Sequence, residues 1–137
     1  MNKTTVHDLK LIKIPKIHDP RGNLSVIEGD VLPYSIERVY YLYDVPSDAA
    51  RGGHAHKEQL ECLVALSGSF SVLLDDGNEQ TTVILNKPNQ GLIIPTGIWR
   101  SLDYFSSGSV CLVCSSGRFE ESDYIRDYDD FLAAKHR

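Results

Sequence analysis

The 137-residue sequence predicts an all-β domain, a closed barrel or a two-sheet sandwich, with a short helical segment at its C-terminus. Two observations predict the sheets. Short runs rich in β-branched and aromatic residues recur at regular spacing, and Gly, Asn, Pro and Asp-Gly signals separate them. These runs do not alternate with helical patterns as a βαβ unit requires. A third observation predicts the helix: Tyr124, Ile125, Tyr128, Phe131 and Leu132 fall at helical spacing.

Taken in order, "NLSVIEG" reads as a strand after a turn at 20–22, and "IERVYYLYDV" as a second strand. "HKEQLECLVALSG" runs to Gly68, and "SFSVLLDDG" ends at the Asp76-Gly77 turn, a strong hairpin signal. "QTTVILN", "QGLIIPTGIW" and "SVCLVCSS" follow. "ESDYIRDYDDFLAAKHR" then changes period, with Ser122 as the candidate helix cap. No linker or repeat divides the chain, so residues 1–137 are expected to form one domain.

Composition excludes several function classes. An apolar fraction of 42% and interspersed charges argue against disorder. A formal net charge of −5, with no Lys/Arg run, argues against nucleic-acid or membrane-surface binding. An anionic ligand stays open, because a few placed arginines suffice. Residues 1–16 lack the apolar run and cleavage pattern of a secretory signal, and no segment approaches the ~20 apolar residues of a membrane helix. A cytoplasmic protein is expected. Cys62, Cys111 and Cys114 are an odd count inside apolar runs and read as reduced core residues. In "CLVC", positions three apart on a strand face opposite sides, which is wrong for joint metal ligation.

The chemistry concentrates in "RGGHAHKEQLECL", residues 51–63. On a strand His54 and His56 face one side and Ala55 the other. Such a pair can ligate a metal, transfer protons, or be a solvent-facing polar pair. In "ERVYYLYDV", Arg38, Tyr40 and Leu42 share one face and Val39, Tyr41 and Tyr43 the other, and only one face can line a barrel cavity. Arg51, ahead of Gly52 and Gly53, is a candidate phosphate contact because its fork matches oxyanions. Arg21 in "DPRGNL" has similar standing, and Trp99 is placed either to stack on a ligand or to plug the barrel.

The pair with Glu61 and Gly68, followed by "GLIIPTGIWR", resembles the two bracketing motifs of the cupin superfamily, a small β-barrel or jelly roll. In metal-binding cupins the first motif contributes two His and a Glu, and the second a further His. Here Arg100 stands at that last position. A guanidinium stays protonated and would repel a divalent ion, so no catalytic metal is expected. Proton transfer is then the expected role of the pair, an imidazole being well matched to acid–base work near neutrality.

Together "DPRGNLSVIEG", "IERVYYLYDVP", "RGGHAHKEQLECLVALSGSFSVLLDDG", "GLIIPTGIW" and "DYIRDYDDF" resemble the sugar 3,4-ketoisomerase family, cupin-fold enzymes acting on dTDP-4-keto-6-deoxy-D-glucose. The resemblance covers nearly the whole chain. It implies His54 as the base moving the proton between C-3 and C-4, His56 as its assistant, and Tyr40 in the catalytic network. It implies Arg51 on the nucleotide diphosphate. Arg38 and Trp99 are further substrate-contact candidates. The resemblance also implies no cofactor, a homodimer exchanging an N-terminal strand, and a product feeding 3-amino-3,6-dideoxy sugars. Arg21 and Arg100 are the candidates for control of the C-4 configuration, galacto or gluco, which stays open, as do the roles of Lys57 and Glu61. The alternatives are a dTDP-sugar 3,5-epimerase, whose pattern is a single base His paired with Asp, a non-catalytic nucleotide-sugar binder, and a metal-dependent dioxygenase.

Overall fold

The computed structural model describes residues 3–136. A 3-10 turn at Val6–Asp8 precedes β1 (Lys10–Lys13), β2 (Lys16–Asp19), β3 (Gly22–Ser25) and β4 (Arg38–Leu42). Next come β5 (Arg51–His56), β6 (Glu61–Ser67), β7 (Phe70–Asp75) and β8 (Gln80–Leu85). β9 (Gln90–Ile94), β10 (Trp99–Asp103) and β11 (Val110–Ser115) lead into a 3-10 turn, Glu121–Asp123, then β12 (Tyr124–Ile125) and helix α1 (Tyr128–Lys135). One five-stranded sheet has the order β1-β9-β6-β11-β4, and the other has the order β12-β5-β10-β7-β8. All described pairings are antiparallel, and β2 and β3 form a separate hairpin. The expected all-β architecture with a C-terminal helix is the one observed.

Alternation along the strands builds the core. Leu63 and Ala65 of β6, Leu92 and Ile94 of β9, and Cys111 and Val113 of β11 face Phe70, Val72 and Leu74 of β7 across the sheets. The opposite face of the first sheet is also covered: Cys62, Val64, Ile93 and Cys114 lie under Ile14, Leu32 and Tyr34. Cys111 and Cys114 therefore face opposite sides, as their spacing requires, and all three cysteines are free thiols. Burial pushes Cys62 and Cys111 up to about 12, so they remain protonated packing residues.

Four expected elements are corrected. "HKEQLECLVALSG" is not one strand: β5 stops at His56 and residues 57–60 turn the chain before β6. That turn is held from outside, with Gln59 donating to the Arg118 carbonyl and the Leu60 amide donating to Ser116 Oγ. "QGLIIPTGIW" breaks at 95–98, which sends β9 and β10 to different sheets. "NLSVIEG" is strand only to Ser25. Tyr124 and Ile125 are strand rather than helix, because they pair with His56 and Ala55 of β5. Helix α1 consequently starts at Tyr128 with Asp127, not Ser122, as its cap, through Asp127 Oδ1 and the Asp130 amide. β1 and β2 were not legible as separate strands, because each is four residues long, mostly exposed, and shows no buried alternating face.

Trp99 sits on the outer face of β10, its ring 5.7 Å from Phe131 and 5.3 Å from Tyr128 of α1. Phe131 is fully buried against Ala55, Ile125 and Trp99 and pins the helix to β5 and β12. Lys135 anchors the far end by donating to the Thr4 carbonyl at 2.7 Å. Phe131→Ala is expected to lower stability by about 3–5 kcal/mol, the range for a buried aromatic truncation, measured by urea denaturation followed through Trp99 fluorescence.

Candidate active site

A cavity of about 320 Å³ opens between the sheets. Arg38, Tyr40 and Leu42 line it from β4, whereas Val39, Tyr41 and Tyr43 project to solvent, so the alternation in "ERVYYLYDV" is resolved in favour of the first set. His54 reaches the cavity from β5, Glu61 from β6 and Arg100 from β10.

Arg51 reaches the same wall because β5 is irregular. Arg100 pairs with His54 but Leu102 pairs with Arg51, so β5 carries one extra residue between the two pairs. Gly53 sits in this bulge at φ +53, a conformation that favours glycine. In a regular strand residues 51 and 54 would face opposite sides; the bulge turns both toward the cavity.

Glu61 is the hub of the site. Its Oε1 accepts from Arg100 Nη1 at 2.8 Å and lies 3.2 Å from His56 Nε2. Its Oε2 accepts from the Tyr40 hydroxyl at 2.8 Å and from Ser115 Oγ at 3.2 Å, with Arg38 Nη2 at 3.7 Å. Burial alone would raise this carboxyl. The contact with His56 and the Arg100 charge outweigh burial and hold it at about 2. Burial, then the Glu61 charge, pushes the Tyr40 phenol above the ordinary tyrosine range, so Tyr40 is a neutral donor committed to Glu61.

The two histidines are stacked in depth. His54 is 8% exposed and lines the cavity; His56 is fully buried behind it, with the two Nε2 atoms 3.2 Å apart. The other nitrogen of His56, Nδ1, is 2.7 Å from Asp123 Oδ2. Tyr124 packs its ring 5.0 Å from His54 and 4.5 Å from His56, and its hydroxyl lies 3.4 Å from Arg38 Nη1 and Nη2. Arg126, whose guanidinium stacks 4.2 Å from the Tyr124 ring, joins Phe119 and Arg51 on the cavity wall.

Two expected site residues are elsewhere. Arg21 lies at the tip of the β2–β3 hairpin, ion-paired with Asp19 at 2.8 Å and 90% exposed, and it does not line the cavity. Trp99 faces α1 and does not line the cavity, because its neighbour Arg100 takes the inward position on β10. Lys57 is exposed outside this cavity, whereas Glu61 is at its floor. Asp123, Tyr124, Phe119 and Arg126 were not singled out from sequence. A signal existed in "DYIRDYDDF", but reading its aromatics as a helical stripe concealed a strand that faces the histidines.

His54, His56 and Glu61 have donor atoms within 4.8 Å of one another, the spacing of a metal triad. The set does not fit a divalent cation. Both Glu61 oxygens are already engaged, and the Arg100 cation is 2.8 Å from the one nearest His56. What the arrangement can do is move protons, with one accessible imidazole backed by a buried imidazole and two carboxylates.

Fold and site thus define a proton-transfer barrel with an arginine-rich mouth. The family model described as "FdtA: WxcM-like, C-terminal" matches residues 7–136. The TDP-4-oxo-6-deoxy-alpha-D-glucose-3,4-oxoisomerase of Aneurinibacillus thermoaerophilus is 44% identical over 123 residues, covering 89% of this chain and 88% of that protein. The 3,4-ketoisomerase QdtA of Thermoanaerobacterium thermosaccharolyticum, solved as a mutant with TDP-4-keto-6-deoxyglucose, superposes with a TM-score of 0.93 at 37% identity over 96% of each chain. The TDP-quinovose 3,4-ketoisomerase WlaRB of Campylobacter jejuni superposes with a TM-score of 0.88 at 37% identity, over 93% of this chain and 99% of that one. The chain belongs to this FdtA-like family of cupin-like sugar 3,4-ketoisomerases.

The depressed Glu61 carboxyl makes a stability prediction. Its stabilisation is fully present above the unfolded-state value near 4.5 and is lost as pH falls toward about 2. A shift of this size corresponds to about 3 kcal/mol. Glu61→Gln should therefore be clearly less stable than the parent at pH 7, and the gap should close between pH 4.5 and 2.5 in urea titrations. A gap independent of pH would show that the ionised carboxylate is not what stabilises the floor.

Proposed function

We propose that this chain isomerises dTDP-4-keto-6-deoxy-D-glucose to a dTDP-3-keto-6-deoxyhexose, on a route to 3-amino-3,6-dideoxy sugars. The observation that carries the reading is His54 on the cavity wall with the His56–Asp123 pair behind it. The named activities of the relatives favour the same reaction. The 3,5-epimerase pattern of an Asp-paired histidine falls at His56, which is buried and screened by His54.

The C-3 proton is acidic because the C-4 ketone stabilises the carbanion as an enediolate. His54 takes that proton, and the electron pair moves into the C3–C4 bond as the C-4 carbonyl becomes an oxyanion. The proton returned by His54 to C-4, with transfer of the C-3 hydroxyl proton to the C-4 oxygen, leaves a ketone at C-3. No electrons leave the substrate, so no redox cofactor is needed. Developing negative charge on oxygen requires fixed donors. Arg100 Nη2 and Arg38 Nε are buried at this wall without a hydrogen-bond partner, so both are candidates to donate to sugar oxygens. The Tyr124 hydroxyl, which receives from Arg38, retains its own proton to donate. Tyr40 acts by holding Glu61. Arg51 and Arg126 at the mouth suit the diphosphate, with Phe119 beside them for the base.

A homodimer accompanies this reading. A two-stranded hairpin is marginal in water by itself, yet among the described residues β2 and β3 pair only with each other and expose the cross-strand pair Ile17 and Leu24. Strand β4 is a sheet edge with Val39, Tyr41 and Tyr43 exposed beside it. Exchange of the hairpin between two copies would cover both surfaces and would be the way for Arg21 to reach a cavity. Light scattering should give twice the chain mass, and Ile17→Glu with Leu24→Glu should give monomer; a monomeric parent would exclude the exchange.

Proton NMR with dTDP-4-keto-6-deoxyglucose should show conversion to a 3-keto sugar, with couplings at C-4 reporting galacto or gluco. His54→Asn should lower kcat by about 10² to 10⁴, the worth of a general base, while retaining TDP binding. A folded parent that binds TDP and leaves the sugar unchanged would make the chain a binder.

A further inference from the structure

Asp123 lies just before β12 and does not line the cavity, yet it is tied to the end of β5 and to the β5–β6 turn by three bonds. Its carbonyl accepts from the Lys57 amide at 2.9 Å, its Oδ1 from the Glu58 amide at 2.6 Å, and its Oδ2 from His56 Nδ1 at 2.7 Å. The Glu58 amide can only donate, so it fixes which oxygen is left for the imidazole. His56 is held from other sides too. Its strand pairs with β12, and its carbonyl accepts from the Gly97 amide.

We infer that Asp123 is a positioning residue for the proton transfer: by holding one proton on His56 Nδ1, it keeps His56 Nε2 as the sole nitrogen through which the buried imidazole exchanges a proton with His54. The inference rests on the isomerase reading for its kinetic part only. Between two Nε2 atoms 3.2 Å apart only one hydrogen fits, so the protonation of the rings is coupled. An ionised carboxylate on Nδ1 accepts and cannot donate, so the Nδ1 proton stays put in every state of Nε2. His56 Nε2 can then receive the His54 hydrogen as positive charge develops on His54, with Glu61 Oε1 3.2 Å away to stabilise the charge passed inward. No net proton is consumed, because it returns to His54 when C-4 is protonated.

Asp123→Asn reverses this. The Asn oxygen must stay on the Glu58 amide, which turns its NH₂ group toward His56 Nδ1. Nδ1 must then accept, and the neutral ring carries its proton on Nε2, where it blocks receipt of a hydrogen from His54. Asp123→Ala imposes neither state. A role limited to packing predicts the opposite order, because Ala removes every side-chain bond and Asn removes none.

The test is turnover of TDP-4-keto-6-deoxyglucose by the parent, Asp123→Asn and Asp123→Ala. Histidine ¹⁵N NMR on the same proteins would be assigned through substitution of His7, His18 and His136. The expected result is a kcat at least tenfold lower in Asp123→Asn than in Asp123→Ala, with KM within threefold of the parent. The His56 proton should move from Nδ1 to Nε2 in the Asn variant. A His56 tautomer unchanged by Asp123→Asn, or a kcat lower in the Ala variant than in the Asn variant, would overturn the assignment. A parent without turnover would overturn the isomerase reading, while the NMR would still decide what Asp123 does to His56.

Discussion

The structure depends on one buried carboxylate. Glu61 is almost wholly removed from water at the base of the cavity, and an uncompensated charge there would cost several kcal/mol. It is compensated from both sheets: Tyr40 and Ser115 reach it from β4 and β11 of one, and His56 and Arg100 from β5 and β10 of the other. The same bonds therefore close the sandwich and set the positions of the groups that do chemistry. Arg100 is held rigidly by this bond with a further guanidinium N–H to spare, and Tyr40 is kept a neutral donor. Breaking the pair from either side leaves a charge in an apolar interior.

Function is assembled around β5, a strand that departs from regular geometry. The bulge at Gly53 brings Arg51 onto the face of His54, so a phosphate-matching cation and a base share one wall. On the far edge of β5, the two-residue strand β12 brings Asp123 behind His56 and the Tyr124 ring across both imidazoles. Helix α1 then presses on this region through Phe131 and Trp99. A segment that looks like a C-terminal appendage is in effect the back wall of the site.

Strand periodicity was legible where one face is buried and the other wet. β4 and β7 show this, and the apolar run of β11 correctly separated Cys111 from Cys114. Boundaries failed where local propensity competes with pairing. Lys57–Leu60 contains no strong turn residue, and bonds to residues 116, 118 and 123 bend it. Tyr124 and Ile125 fit a helix as well as a strand until β5 lies beside them. Trp99 and Arg100 could each have been the inward residue of β10. Register decided between them, because Arg100 pairs opposite the inward-facing His54.

By itself the sequence determined the fold class, the shared face of His54 and His56, the two alternating faces of β4, and the cation that replaces a metal ligand at position 100. These follow from side-chain alternation and from the fixed charge of a guanidinium, which are properties of neighbouring residues and of residue type. Only the tertiary structure decided that His54 stands in front and His56 behind, that Asp123 is the partner of His56, that Glu61 joins the two sheets, and that Arg21 lies away from its own chain's cavity. The physical reason is distance along the chain. His56 and Asp123 are 67 residues apart and Glu61 and Arg100 are 39 apart, so strand pairing within one sheet and packing between the two, not local pattern, bring their charges together.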